Sequence, residues 1–175
     1  MKKKNKIRIG ILGGSFDPAH IGHIKISKQA KNKFGLNKII WAITKRNPFK
    51  GKSSLNLNHR IKFARKLNIK NKFIKVTCFE DKIKSDKTID LINYFIKKYK
   101  KNEIYFIMGA DNLINLHKWH KWEKIISLCK ILVFDRTNYK VKATRSISYK
   151  KYNKKGLKYI NFKKVNISSS QLRKI

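Results

Sequence analysis

The chain has 175 residues, 41% of them hydrophobic, with two Cys and two Pro. At ~100–200 residues per domain this reads as a single domain over residues 1–175, large enough to bury a core. No apolar run approaches the ~20 residues of a membrane span, and the basic start Met1-Lys2-Lys3-Lys4 leads into no apolar h-region, so neither a spanning helix nor a signal peptide is expected. Lys and Arg number 45 against 9 Asp and Glu, a net charge of +36. Such a field attracts polyanions. The lysines run along the whole chain instead of gathering in a stripe. Lys, Asn and Ile, which share A/T-rich codons, make up nearly half of it. Much of the charge is therefore read as compositional drift on solvated faces, with salt-sensitive, non-specific nucleic-acid affinity as its consequence. Cys78 and Cys129 are too few for a disulfide scaffold or a zinc site. Each sits in an apolar stretch, so two buried thiols in a reducing, cytoplasmic compartment are expected.

Ile7–Leu12 is an apolar run ending at Gly13-Gly14, the pattern of a buried strand. Helical periodicity runs from Ile21 to Phe34, and Gly35 stops it. Lys38–Ile43 predicts a second strand and Thr44–Asn56 a basic loop. Asn58–Leu67 predicts a helix that groups Ile61, Ala64, Arg65 and Leu67, capped by Asn56 or Asn58. Phe73–Phe79 is a third strand and Asp81–Lys87 a polar loop. Thr88–Tyr99 is a helix with Ile89, Ile92, Phe95 and Ile96 on one face. Glu103–Met108 is a fourth strand; Asp111–His117 and Trp119–Cys129 read as helical. Lys130–Phe134 is a fifth strand, Lys140–Lys158 a surface loop, Tyr159–Val165 a sixth strand and Ser168–Ile175 a final helix.

Strands alternating with helices predict an α/β fold, a Rossmann-like doubly wound parallel sheet with helices on both faces. Ligands of such sheets bind beyond the carboxyl ends of the strands, near the point where strand order reverses. The stretch that follows the first strand is Gly13-Gly14-Ser15-Phe16-Asp17-Pro18-Ala19-His20-Ile21-Gly22-His23. It is neither a GxGxxG fingerprint nor a Walker A loop. Its glycines let a ligand approach the backbone. His20 and His23, three apart at a helix start, project to one side where the helix favours negative charge. Imidazoles and oriented amides around one point make a phosphate site. Ser168, Ser170 and Arg173 form a second anion site, hydroxyls at a helix start with a guanidinium one turn in. Asp17 and Asp111 belong to a set of only nine acids, so each calls for a local explanation.

The first stretch resembles the nucleotidyltransferases marked by His-x-Gly-His, and among them the nicotinate-nucleotide adenylyltransferase family. The resemblance runs in order through Asn47-Pro48-Phe49-Lys50, Ile107-Met108-Gly109-Ala110-Asp111-Asn112, Trp119-His120-Lys121-Trp122 and Ile167-Ser168-Ser169-Ser170-Gln171-Leu172-Arg173. It implies transfer of the adenylyl group of ATP to nicotinate mononucleotide, with Mg²⁺, by direct in-line attack. By resemblance His20, His23 and Arg173 are the catalytic groups. Gly13, Gly14, Ser15 and Phe16 shape the phosphate loop, and Lys50 and Arg46 hold phosphates. Asp111 accepts from the ATP ribose. Trp119 stacks on the nicotinate ring, whose carboxylate meets backbone N–H groups near Thr88 and His120. Trp122 is expected to anchor its helix to the core.

The chain departs from the family at Lys87, where an aromatic is usual, and at Leu91, where a Thr is usual. It also ends two residues after Arg173, where family members continue with another helix. That predicts either weakened stability or an apolar patch that a partner chain covers, a homo-oligomer being one such arrangement. Two other readings are carried forward: a sister adenylyltransferase acting on nicotinamide mononucleotide or phosphopantetheine, and a basic nucleic-acid-binding protein on the same scaffold. Intact His20, His23, Asp111, Ser168, Ser170 and Arg173 argue against the second.

Overall fold

Successive residues of a strand face opposite sides of its sheet, and here both sides are apolar, as they must be where helices cover both faces. The computed structural model describes residues 6–47, 49, 51–100 and 102–162. Among them the strands β1 (Arg8–Gly14), β2 (Lys38–Ile43), β3 (Ile74–Thr77), β4 (Glu103–Gly109), β5 (Lys130–Phe134) and β6 (Leu157–Ile160) pair in the order β3-β2-β1-β4-β5-β6. Every pairing is parallel. Ile9, Ile11, Phe106, Met108, Ile131 and Val133 point to one face. Leu12, Ile39, Trp41, Ile107, Leu132 and Phe134 point to the other.

The helices α1 (Ile21–Phe34) and α2 (Leu57–Leu67) cover the second face through Ile24, Ala30 and Ala64. Gly35 takes the left-handed conformation (φ 61°) that ends α1, as the sequence predicts. Asn56 caps α2 by accepting from the His59 N–H. The first face is covered by α4 (Thr88–Lys98), through Ile89, Ile92 and Phe95, and by α6 (Trp122–Leu128), through Ile125 and Ile126. The short α3 (Glu80–Ile83) and α5 (Ala110–Leu113) precede α4 and α6, while α7 (Lys140–Thr144) and α8 (Ile147–Tyr152) join β5 to β6.

Four expectations are corrected. The polar loop expected at Asp81–Lys87 contains most of α3, one turn that Lys84 closes in the left-handed conformation. The helices expected at Asp111–His117 and Trp119–Cys129 are broken into α5, a 3₁₀ turn at Leu116–Lys118, and α6, because Lys121 adopts φ 51° just before α6. Lys140–Lys158 is not a loop: it holds α7, α8 and the start of β6. Ser146, whose hydroxyl accepts from the Tyr149 N–H, divides α7 from α8, and pieces this short leave little periodicity to read. Cys129 is buried but Cys78 only half so. Burial pushes the Cys129 thiol up to about 12. Residues 163–175, with the end of the sixth predicted strand and the final helix, lie outside the described residues. No helix among the described residues is long and apolar enough to cross a membrane.

Candidate active site

The β1–β4 ladder ends at Leu12↔Ile107, while β1 and β2 stay paired to Gly14↔Ile43. Beyond Leu12 the two central strands part, and this is where the strand order reverses. Gly13 and Gly14 stand at that fork. A Cβ on Gly13 would lie 3.0 Å from Cζ of Phe106, so glycine leaves room for that ring under the fork. The next residues turn through Phe16, at φ 46°, into α1.

His20 is the N-cap of α1, and His23 is its third helical residue. His20 Nδ1 accepts from the Gly22 N–H at 3.1 Å, and His23 Nδ1 accepts from the His20 N–H at 3.2 Å. This is a capping box built from two imidazoles in place of the usual hydroxyl and carboxamide. With both Nδ1 atoms accepting, each neutral ring carries its proton on Nε2. The ring centroids are 4.0 Å apart. Phe16, 2% exposed, sits 4.6 Å from the His23 ring and stacks on Trp41 at 4.9 Å. Its ring therefore supports His23 from below and offers a ligand only its backbone. Trp41 Nε1 donates to Ser27 Oγ, which donates to the His23 carbonyl. The first turns of α1 are thus fixed from the core side.

Burial, and after it the nearby Arg136 guanidinium, lower the His20 pKa to about 4. Between pH 4 and the usual 6.5 the unfolded chain binds the His20 proton and the folded chain does not, so stability falls as pH drops through that window. His20→Asn keeps an acceptor where Nδ1 now caps the helix, yet cannot titrate. The expected result is a smaller loss of melting temperature in His20→Asn than in the unsubstituted chain between pH 7.5 and pH 5, measured by thermal denaturation.

Arg136 stands just after β5, at a strand end where ligands are expected, but sequence reasoning assigned it no role. Its Nη1 donates to Asp111 Oδ2 at 2.7 Å. Asp111 thus has its local explanation: its carboxylate is held by a guanidinium that also acts on His20. A Cβ on Gly109 would sit 2.5 Å from Asp111 Oδ1, so the Gly-Ala-Asp sequence is what lets this carboxylate fold back. Asp17 is 3% exposed and accepts from the N–H groups of Ser54 and Leu55 at 2.7 and 3.0 Å. It ties the β1–α1 turn to the segment before α2.

Trp119 is half-buried, edge-on to Phe106 at 6.0 Å, the same ring that Gly13 approaches. This brings Trp119 to the fork through one intervening side chain. His120 beside it is exposed. Thr88 opens α4, which has no side-chain cap at Lys87, and Lys87 instead pairs with Asp86 at 2.8 Å. Trp122 packs edge-on to Tyr152 at 5.5 Å. Arg46 offers its carbonyl to the Thr44 hydroxyl. Gly13, Gly14, Ser15, Phe16, His20, His23 and Asp111 are therefore gathered at the fork. Trp119 stands one side chain from it. Lys50, Ser168, Ser170 and Arg173 lie outside the described residues.

A parallel sheet with paired imidazoles at its switch point defines a nucleotide-binding α/β protein. The sequence model of the cytidylyltransferase-like family matches residues 11–175. A Pelagibacter ubique protein named a probable nicotinate-nucleotide adenylyltransferase is 64% identical over 98% of this chain and 95% of its own length. One of the same name from Nitratiruptor is 36% identical over 77% of each chain. The chain thus belongs to the cytidylyltransferase-like family and, within it, to the nicotinate-nucleotide adenylyltransferases. A solved structure of Plasmodium falciparum nicotinic acid mononucleotide adenylyltransferase complexed with NaAD shares the fold, with TM-score 0.73 and 21% identity over 96% of this chain and 83% of that one.

Proposed function

We propose that the chain transfers the adenylyl group of ATP to nicotinate mononucleotide, giving deamido-NAD and pyrophosphate in NAD biosynthesis, and that residues 1–175 work as one nucleotidyltransferase domain. The observation that carries the chemistry is the His20–His23 capping box at the strand fork, and the likeness to named relatives supports the acceptor. In the reaction a 5′-phosphate oxygen of the mononucleotide forms a bond to the α-phosphorus of ATP, and the bond to the bridging oxygen of pyrophosphate breaks. No covalent enzyme intermediate is needed. Catalysis is then positioning plus stabilisation of charge on the transferring group.

Nε2–H of His20 and of His23 are the donors for ATP phosphate oxygens. The Arg136 guanidinium, paired with Asp111, stands beside them, and Arg173 is a second guanidinium in this reading. Gly13, Gly14 and Ser15 present backbone to the phosphates; Lys50, Ser168 and Ser170 are further phosphate-holding residues in this reading. Asp111 accepts from the ribose. Trp119 receives the nicotinate ring, with backbone N–H groups at Thr88 and His120 for its carboxylate. The donors at the β1–α1 turn are imidazole and amide N–H groups, which suit phosphate oxygens and not a cation. Mg²⁺ therefore belongs here as the counter-ion of ATP, ligated by phosphate oxygens and water. Free thiols at Cys78 and Cys129 support a cytoplasmic setting.

The test is pyrophosphate release with nicotinate or nicotinamide mononucleotide as acceptor, ATP held constant. A clear preference for the acid is expected, because a site built for a carboxylate leaves donors unpaired against an amide. A preference for the amide would reassign the chain to the sister activity. Nucleic-acid binding driven by the +36 charge should collapse as salt rises, while turnover persists.

A further inference from the structure

Arg60 lies on α2, 2% exposed. A buried guanidinium is costly unless its donors are met, and four of its N–H bonds are. Nε donates to the Leu55 carbonyl at 3.1 Å. Nη1 donates to the Ser15 carbonyl at 2.6 Å and to that of Thr44 at 2.8 Å, and Nη2 to that of Lys45 at 3.0 Å. All four acceptors are main-chain oxygens, and all belong to loops at the carboxyl rim of the sheet. Ser15 is in the turn after β1, Thr44 and Lys45 follow β2, and Leu55 precedes α2. Among the described residues Arg60 makes no ion pair, and the partners it has there are these carbonyls.

The surrounding bonds close the same clamp. Asp17 accepts from the Leu55 N–H while Arg60 donates to the Leu55 carbonyl, so that residue is gripped on both sides. Glu80 accepts from the Thr44 hydroxyl at 2.5 Å and from the Lys45 N–H at 3.0 Å. A residue that served only the core would bond within the sheet or its own helix. Arg60 instead fixes how the β1–α1 turn sits against the β2–α2 loop.

We propose that Arg60 is a positioning residue for adenylyl transfer: its fork of donors sets the distance between the Gly13–His23 phosphate turn and the loop after β2, and so the alignment of the reacting phosphates. This rests on the adenylyl-transfer reading of the site. An ammonium has one nitrogen and three N–H groups, and cannot reach four carbonyls spread over the two loops. In Arg60→Lys, kcat/KM for pyrophosphate release should therefore fall by about 10²-fold, the scale of a displacement near 1 Å. The KM for ATP should rise with it, and the melting transition should stay above the assay temperature. Amide exchange should accelerate at residues 15–17 and 44–46 and stay unchanged along β4. Arg60→Gln, which keeps a donor without the charge, is the second variant.

Wild-type kcat and KM values in a folded Arg60→Lys would overturn the proposal. So would a fall in kcat that follows only the unfolded fraction, with both KM values unchanged, or failure of both variants to fold, which would make Arg60 a strut of the core. If the unsubstituted chain releases no pyrophosphate from ATP and nicotinate mononucleotide, the functional reading fails, and the exchange data still report whether Arg60 holds the two loops together.

Discussion

His23→Ala is expected to lower turnover by about 10²–10³-fold, the usual effect of deleting one preorganised donor to a developing negative charge. The alanine removes two things. One is Nε2–H, the donor assigned to the phosphates. The other is Nδ1, which accepts from the His20 N–H and completes the helix cap, a contact whose loss costs about 1 kcal/mol. His23→Asn separates them, because an amide oxygen replaces Nδ1 and nothing replaces Nε2. The melting temperature should recover in His23→Asn and the turnover should not. The packing of Phe16 against the His23 ring is lost in both variants, so it cannot produce a difference between them. Near-normal turnover in His23→Ala, or recovery of turnover in His23→Asn, would assign the imidazole a capping role alone.

The same double use of residues explains what the sequence discloses. Strands and long helices were legible because burial on two faces forces continuous apolar runs, and a Gly after Phe34 has one obvious use. The phosphate turn was legible because two histidines three apart at a helix start have few structural purposes. That each imidazole caps the other's backbone was not legible, since His is not an ordinary capping residue. Arg136 and Arg60 were hidden among 45 basic side chains. The spacing grouped Arg65 with Ala64 in α2, yet Arg65 is exposed and Arg60, four residues before Ala64, is buried. An inward position four residues before a buried alanine was a usable signal; only the loop carbonyls it would meet were out of sight. Asp17 and Asp111 stood out by scarcity, and each proved to hold a local contact.

Trp119→Ala is expected to raise the KM for nicotinate mononucleotide by about 10–100-fold, the range given by a stacking contact of about 1–3 kcal/mol, and to move the KM for ATP by no more than about twofold on the same scale. The geometry sets the asymmetry. Trp119 meets the site through Phe106, on the β4 side of the fork, whereas the His20–His23 box stands at the start of α1. Truncation also empties part of the contact with Phe106, so Trp119→Phe is the companion variant. Its ring keeps a stacking face and most of that contact. Trp119 Nε1 is buried without a hydrogen-bond partner among the described residues, so replacing indole by phenyl removes a desolvated donor and no bond. Trp119→Phe should therefore fold as well as the unsubstituted chain and recover most of the mononucleotide affinity. If Trp119→Ala instead raises both KM values equally, the indole is a pillar for Phe106 and the fork, and the nicotinate ring is received elsewhere.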